Sequence, residues 1–276
     1  MRAALLQLTS SDDPLANLPV TLGMVDQAVA EGAELICTPE VTNCVSASRS
    51  RQLAVLQPEE HDPTLAGFRE AAARHGRHLL LGSIGIKTDD PDGRFANRCY
   101  MIGPSGEIIA RYDKIHMFDV QVSETETYRE SAGYRPGNLS VLAETPLARI
   151  GMTICYDVRF PQLHRALAKA GAQIITVPAA FSPGTGPAHW QPLLQARAIE
   201  TGCFVLAPAQ CGTHATTEGR TRSSHGHSLV ISPWGEILAD GGTSPGVITV
   251  DLSLSDVDDA RHKIPALTHD RPFEGP

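Results

Sequence analysis

Cys155 has the setting a thiol nucleophile needs. It follows the apolar run ARIGMTI and precedes Arg159-Phe160-Pro161, where a helix is expected to begin. A residue at a strand-to-helix turn stands at the end of a sheet, where open α/β folds place their ligands. The N–H groups and dipole of the following helix are expected to lower the thiol pKa and favour the thiolate. Such a nucleophile also needs a base and a donor for the developing oxyanion. Glu40 and Lys114 could supply them, because each follows a predicted strand, ELICTPE and EIIARYDK. Taken singly, a glutamate or lysine after a strand is usually a solvated loop residue, and a cysteine usually a small buried hydrophobe. Eleven histidines keep a Cys–His pair open as well.

The elements that must position these residues are legible from apolar spacing. Arg2 to Leu8 reads as a buried strand. Pro14 to Ala30 reads as an amphipathic helix with Leu15, Leu18, Leu22, Val25 and Val29 on its inner face. Glu34 to Thr38 is a second strand. Asp62-Pro63 is an N-cap and first-turn proline, opening a helix that stops near Gly76. His78 to Ile86 is a third strand, and two apolar runs around Gly103-Pro104-Ser105-Gly106 form a hairpin. The series then repeats. Strands at Leu147–Ile154, Gln173–Val177 and Cys203–Ala209 alternate with helices at Arg159–Ala170 and Ala188–Thr201, and a hairpin turns at Ser232-Pro233-Trp234-Gly235. Two such halves suit two sheets face to face with helices outside, or one doubly wound sheet. The pattern by itself leaves both open. GSIGIK and GTGPAH lack the spacing of a nucleotide-binding loop and read as a close-packed strand and a loop.

Composition excludes several classes. The chain has 276 residues, a hydrophobic fraction of 42% and a net charge of −8. No basic stripe for nucleic acid appears, and an anionic membrane surface is disfavoured. No apolar stretch approaches the roughly 18 residues of a membrane span. The N-terminal run MRAALLQL is too short for a secretory signal, so a cytoplasmic protein is expected. No cysteine pair has CxxC spacing, and disulfides are not expected. Disorder is expected at most in the tail after Asp251.

Three segments in order, TPE ending at Glu40, YDKIHMFD around Lys114 and GMTICYDVRFP around Cys155, resemble the signature motifs of the carbon–nitrogen hydrolase (nitrilase) superfamily. PAAFSPGTGPAHW, QARAIETGCFVLAPAQCG and GHSLVISPWGE extend the resemblance from about Arg2 to Phe273. It implies one domain over residues 1–276, a four-layer α-β-β-α sandwich, with two mixed sheets related by an internal pseudo-twofold axis. It also implies a homodimer formed through the layer that carries the helix after the nucleophile. Glu130, in TYRESAGYRPG, matches a supporting second glutamate.

The implied reaction cleaves a small carboxylated amide to an acid and ammonia through a thioester, without metal or organic cofactor. Glu40 acts as base, and Lys114 with the Tyr156 N–H holds the oxyanion. Thr185 matches a position that binds the substrate carboxylate, and Arg159, at the start of the helix, is placed to meet the same group. Phe181 and Met117 would line the pocket. ARAIETGCFVLAPAQCGTH is most similar to the branch that holds ω-amidases and deaminated-glutathione amidases. A substrate with several carboxylates would want arginines at the mouth, and Arg220 and Arg222 lie in the polar loop Thr213 to Ser224, which is expected to be mobile. Asn43 and Cys44 stand where relatives often carry an aromatic residue or glycine, which implies a different pocket wall. Two other classes compete. His225 and His227 could be two zinc ligands on one strand face, though a third is missing. A scaffold without activity could share the fold.

Overall fold

A computed structural model of the chain describes residues 1–122, 124 and 127–275. The first half runs β1 (Arg2–Gln7), α1 (Pro14–Ala30), β2 (Leu35–Cys37), α2 (Arg49–Val55), α3 (Pro63–His75), β3 (His78–Ile86), β4 (Ala96–Ile102) and β5 (Ile108–Asp113). A small hairpin follows, β6 (Asp119–Gln121) and β7 (Thr127–Arg129). The second half runs β8 (Val141–Glu144), β9 (Arg149–Met152), α4 (Pro161–Lys169), β10 (Ile174–Thr176), α5 (Gly186–Thr201) and β11 (Phe204–Ala207). After these come the pair β12 (Cys211–Thr213) and β13 (Ser223–His225), then β14 (Leu229–Ile231), β15 (Ile237–Asp240), β16 (Gly246–Asp251) and α6 (Ser255–Lys263).

Two six-stranded sheets result, ordered β16-β1-β2-β3-β4-β5 and β15-β14-β11-β10-β9-β8. Each has three parallel strands at its centre, a hairpin on one side and one antiparallel strand on the other. The repeated strand–helix series is thus two copies of one sheet plan. Successive residues of β1 enter different cores: Ala3 and Leu5 pack toward the second sheet, Ala4 and Leu6 toward α1 and α3. Strands buried on both faces read as unbroken apolar runs, which is how β1 and β3 appear in the sequence. With α4 and α5 packed beyond the second sheet, the layers are α-β-β-α.

Several expectations need correction. In α1 the buried stripe is Asn17, Thr21, Val25 and Ala28, with Leu18, Leu22 and Val29 beside it, while Leu15 is 69% exposed. The stripe is rotated because Asn17 turns inward to bond Ser11 and Asn43. The segment after Asp251 is folded rather than loose. Val257 is buried, and Arg261 donates to the carbonyls of Ala172 and Thr201. The helix after the nucleophile starts at Pro161, because Cys155–Arg159 forms a separate 3₁₀ turn. Hairpin β6–β7 was not foreseen; its short polar strands lack apolar alternation.

Candidate active site

Glu40, Lys114 and Cys155 all sit just beyond strand ends. Cys155 lies three residues past β9, with φ +46°, and its N–H donates to Pro178 O at 2.9 Å. A left-handed non-glycine residue is held there only by surrounding structure. Glu40 lies three residues past β2, and the next residue, Val41, also has φ +48°. Its N–H donates to Ser83 Oγ at 2.8 Å, and Gly82 N–H donates to Thr38 Oγ1 at 2.9 Å. β3 crosses so close that a Cβ at Gly82 would stand 1.8 Å from Thr38 O. Gly186 is similarly close-packed, against the His225 ring. Lys114 follows β5 directly.

The three converge. Lys114 Nζ donates to Glu40 Oε1 at 2.9 Å and to Glu130 Oε1 and Oε2 at 2.9 and 2.8 Å. Asn97 Nδ2 donates to Glu40 Oε1 at 2.9 Å and to Glu130 Oε1 at 3.4 Å. Glu40 Oε2 accepts from Ala180 N–H at 2.9 Å, and the Cys155 thiol lies beside Glu40. Glu130, in a 3₁₀ turn after β7, also accepts from Phe118 N–H at 2.7 Å. Tyr156 is in the first turn of its helix, where N–H groups have no acceptor within the helix.

Electrostatics fixes the proton inventory. Burial would push the Glu40 carboxyl up, but the Lys114 ammonium and the hydrogen bonds around it hold the carboxyl below its usual range. Burial likewise opposes the Lys114 charge, and Glu130 and Glu40 overcome it, raising Lys114 well above normal. Burial first, and then the neighbouring Glu40 carboxylate, raise the Cys155 thiol well above normal. This corrects the expected thiolate. The sulfur is buried beside an anion, so at rest the proton stays on sulfur and the Glu40 carboxyl is ionised.

A cavity of about 460 Å³ opens over this group. Phe181, Thr185 and Tyr156 line it, as do Arg220 and Arg222. Thr185 Oγ1 is buried with no hydrogen-bond partner among the described residues. Five cations (Lys114, Arg49, Arg129, Arg220, Arg222) face two carboxylates (Glu40, Glu130) in the wall, so the cavity is locally positive in a chain of net charge −8.

Two expected residues fall outside it. Phe118 lines the cavity in place of Met117, its N–H fixed by Glu130. Arg159 is not in the wall. Its guanidinium bonds His189 Nδ1 at 3.1 Å and lies 5.9 and 5.7 Å from the ring centres of Tyr156 and Phe181. Cys44 does form part of the wall, while Asn43 is fully buried and clamps the Gly85 backbone. His225 and His227 do not share a strand face: β13 ends at His225, Gly226 and His227 have positive φ, and His227 Nδ1 engages Asp240. Among the described residues, no group of three or more His, Cys, Asp or Glu could hold a metal ion.

Sequence reasoning missed Asn97, Ala180, Arg49, Arg129 and Asp157. Asp157 is fully buried and accepts from Tyr112 Oη (2.6 Å), Ile154 N–H (2.9 Å) and His116 N–H (3.1 Å). It thereby ties the nucleophile turn to the lysine loop. Its signal was present, inside the segment GMTICYDVRFP; Asn97 had none.

An α-β-β-α sandwich whose strand-end turns bring buried Glu40 and Lys114 and half-buried Glu130 together beside a cysteine defines a thiol hydrolase of carbon–nitrogen bonds. The carbon-nitrogen hydrolase family model matches residues 2–262, and the chain belongs to that family. It is 38% identical over 269 residues to a deaminated glutathione amidase from Synechocystis, covering 97% of each chain. The fold matches the C. elegans NitFhit protein with TM-score 0.89 and 33% identity, over 98% of this chain and 65% of that longer one. A point mutant of the amidase from Nesterenkonia sp. AN1 matches with TM-score 0.76 and 27% identity, over 96% and 98%. In that mutant acrylamide has added to the active-site cysteine by Michael addition. No helix among the described residues is long and apolar enough to cross a membrane.

Proposed function

We propose that this chain is an amidase that cleaves a small carboxylated amide through a Cys155 thioester, with deaminated glutathione as substrate. The observation that carries the reading is the Cys155 thiol beside Glu40 beneath a cavity whose wall holds Arg49, Arg129, Arg220 and Arg222. The name of the Synechocystis relative supports the choice of substrate.

As sulfur attacks the amide carbon, the thiol proton passes to Glu40. The carbonyl oxygen becomes an oxyanion held by Lys114 Nζ and the Tyr156 N–H. A three-centre bond to Glu130 leaves Lys114 one N–H for that oxygen. Glu40 protonates the departing nitrogen and the C–N bond breaks. Glu40 then takes a proton from water, which attacks the thioester; the C–S bond breaks and sulfur is reprotonated. Ammonia leaves from a primary amide. From deaminated glutathione the leaving group is the amine of the remaining dipeptide. Arg220, Arg222 and Thr185 Oγ1 bind the substrate carboxylates, and Phe181 and Phe118 pack its carbon chain.

The whole chain acts as one catalytic domain in the cytoplasm. It works as a homodimer, in keeping with the exposed apolar side chains Ile199, Trp234 and Ile264 around a depression between α5 and α6. Light scattering after gel filtration reads the assembly.

The decisive experiment measures release of amine and ammonia from deaminated glutathione, α-ketoglutaramate, an aliphatic amide and a nitrile. The expected order places deaminated glutathione first in kcat/KM, with Cys155→Ala inactive on all four and Cys203→Ala or Cys211→Ala largely active. A faster neutral amide would overturn the substrate, and equal loss from all three cysteine variants would overturn the nucleophile.

A further inference from the structure

The loop between β12 and β13 carries Arg220 and Arg222 into the cavity wall, where the Arg220 guanidinium lies 5.9 Å from the Tyr128 ring centre, and its hydrogen bonds to the body of the protein lie outside the cavity. Asp12, 1% exposed, is the anchor. Its Oδ2 accepts from Thr217 N–H at 2.7 Å, Thr217 Oγ1 at 2.8 Å and Thr216 Oγ1 at 3.2 Å. Arg51 Nε lies 3.8 Å from the same oxygen, and Asp12 N–H donates to Ala215 O at 3.2 Å. Burial would raise the Asp12 carboxyl, but the Thr217 and Thr216 donors outweigh it and hold it below its usual range.

Two further contacts complete the attachment. Glu218 accepts from the Ser48 and Ser50 hydroxyls at the start of α2. His214 N–H donates to Arg222 O at 2.9 Å, closing the base of the loop. The segment that holds Asp12 is also fixed to the catalytic base: Ser10 N–H donates to Gln210 Oε1 at 3.0 Å, and Gln210 Nε2 donates to Glu40 O at 3.2 Å. The arginine loop and Glu40 therefore share one strut. The Thr213–Ser224 loop is thus tied to the body through Thr216, Thr217 and Glu218, just before its Gly219 turn.

We infer that Asp12 is a positioning residue that latches this loop, presenting Arg220 and Arg222 to the substrate carboxylates and so setting the preference for carboxylated over neutral amides. Asp12 does not line the cavity; it acts by removing the ordering cost that binding would otherwise bear. The inference rests on the carboxylate-binding reading above.

The test compares kcat and KM on α-ketoglutaramate and on propionamide. The variants are Asp12→Ala, Thr216→Val with Thr217→Val, Arg220→Ala with Arg222→Ala, and Asp12→Ala combined with the arginine pair. Asp12→Ala is expected to raise KM for α-ketoglutaramate by about tenfold, the scale of one charge-assisted contact, with kcat and both propionamide constants within about twofold. The threonine pair, which leaves the buried carboxylate in place, is expected to shift the same KM by about threefold. Asp12→Ala should add nothing in the arginine-pair background. Equal losses on both substrates, or full additivity with the arginine pair, would overturn the latch. An arginine pair variant with unchanged KM for α-ketoglutaramate would overturn the carboxylate reading itself, and the latch with it.

Discussion

At Cys155, burial and charge act against the helix-terminus effect that the sequence suggested. The thiol sits beside an ionised Glu40, which is itself kept ionised by Lys114, and the lysine in turn is balanced by Glu130. A buried cation between two carboxylates is tolerable because each charge has a partner within about hydrogen-bond distance. The arrangement keeps the proton on sulfur at rest. Arg159 shows how a residue can satisfy a sequence argument and still be diverted. Its guanidinium is engaged by His189 and two aromatic faces. Arg159→Ala is accordingly expected to change kcat/KM by less than about threefold, equally for carboxylated and neutral amides. A selective loss on carboxylated substrates, in steady-state kinetics, would return Arg159 to the binding site.

Among the elements, the turns matter more than the strands. Each chemical group is held by a turn that the neighbouring chain pins: Ser83 pins the one after Glu40, Pro178 the one at Cys155, and Asp157 joins the nucleophile turn to the lysine loop. The helices are conventional by comparison. Asp62 caps α3 through Leu65 N–H at 2.8 Å, and Gly76 ends the same helix with φ +61°. Asp62→Ala should cost about 1–2 kcal/mol, lowering Tm by several degrees in thermal melts while leaving kcat unaltered. An unchanged Tm would show that the cap is dispensable.

For the molecule as a whole, two buried imidazoles set an acid limit. Burial lowers His164 and His214 to about 4 each. Both remain neutral in the fold, whereas the unfolded chain protonates them near the ordinary value of about 6.5. Their contribution is present above that pH and is lost as pH falls from about 6.5 through 4, at up to about 1.4 kcal/mol per pH unit for each. Tm should decline steadily between pH 7 and 5, and His214→Asn should flatten part of the slope. A Tm independent of pH over that range would contradict the assignment.

The repeated series of apolar runs shows in the sequence itself that the chain builds two similar β-α halves, and the three strand-end motifs name Glu40, Lys114 and Cys155 as the candidates for the chemistry. Those features are local: periodicity, caps and turn residues act over a few positions. Only the tertiary structure decided that the halves make two facing sheets, that the Cys155 thiol is protonated at rest, that Phe118 and not Met117 faces the cavity, and that Asp12 holds a loop some two hundred positions away. Asn97, Ala180 and Asp157 were invisible or ambiguous in the sequence for the same reason. Their roles depend on where a donor or carboxylate lies relative to groups from distant segments, and on how completely water is excluded there; neither quantity is encoded in any short stretch of chain.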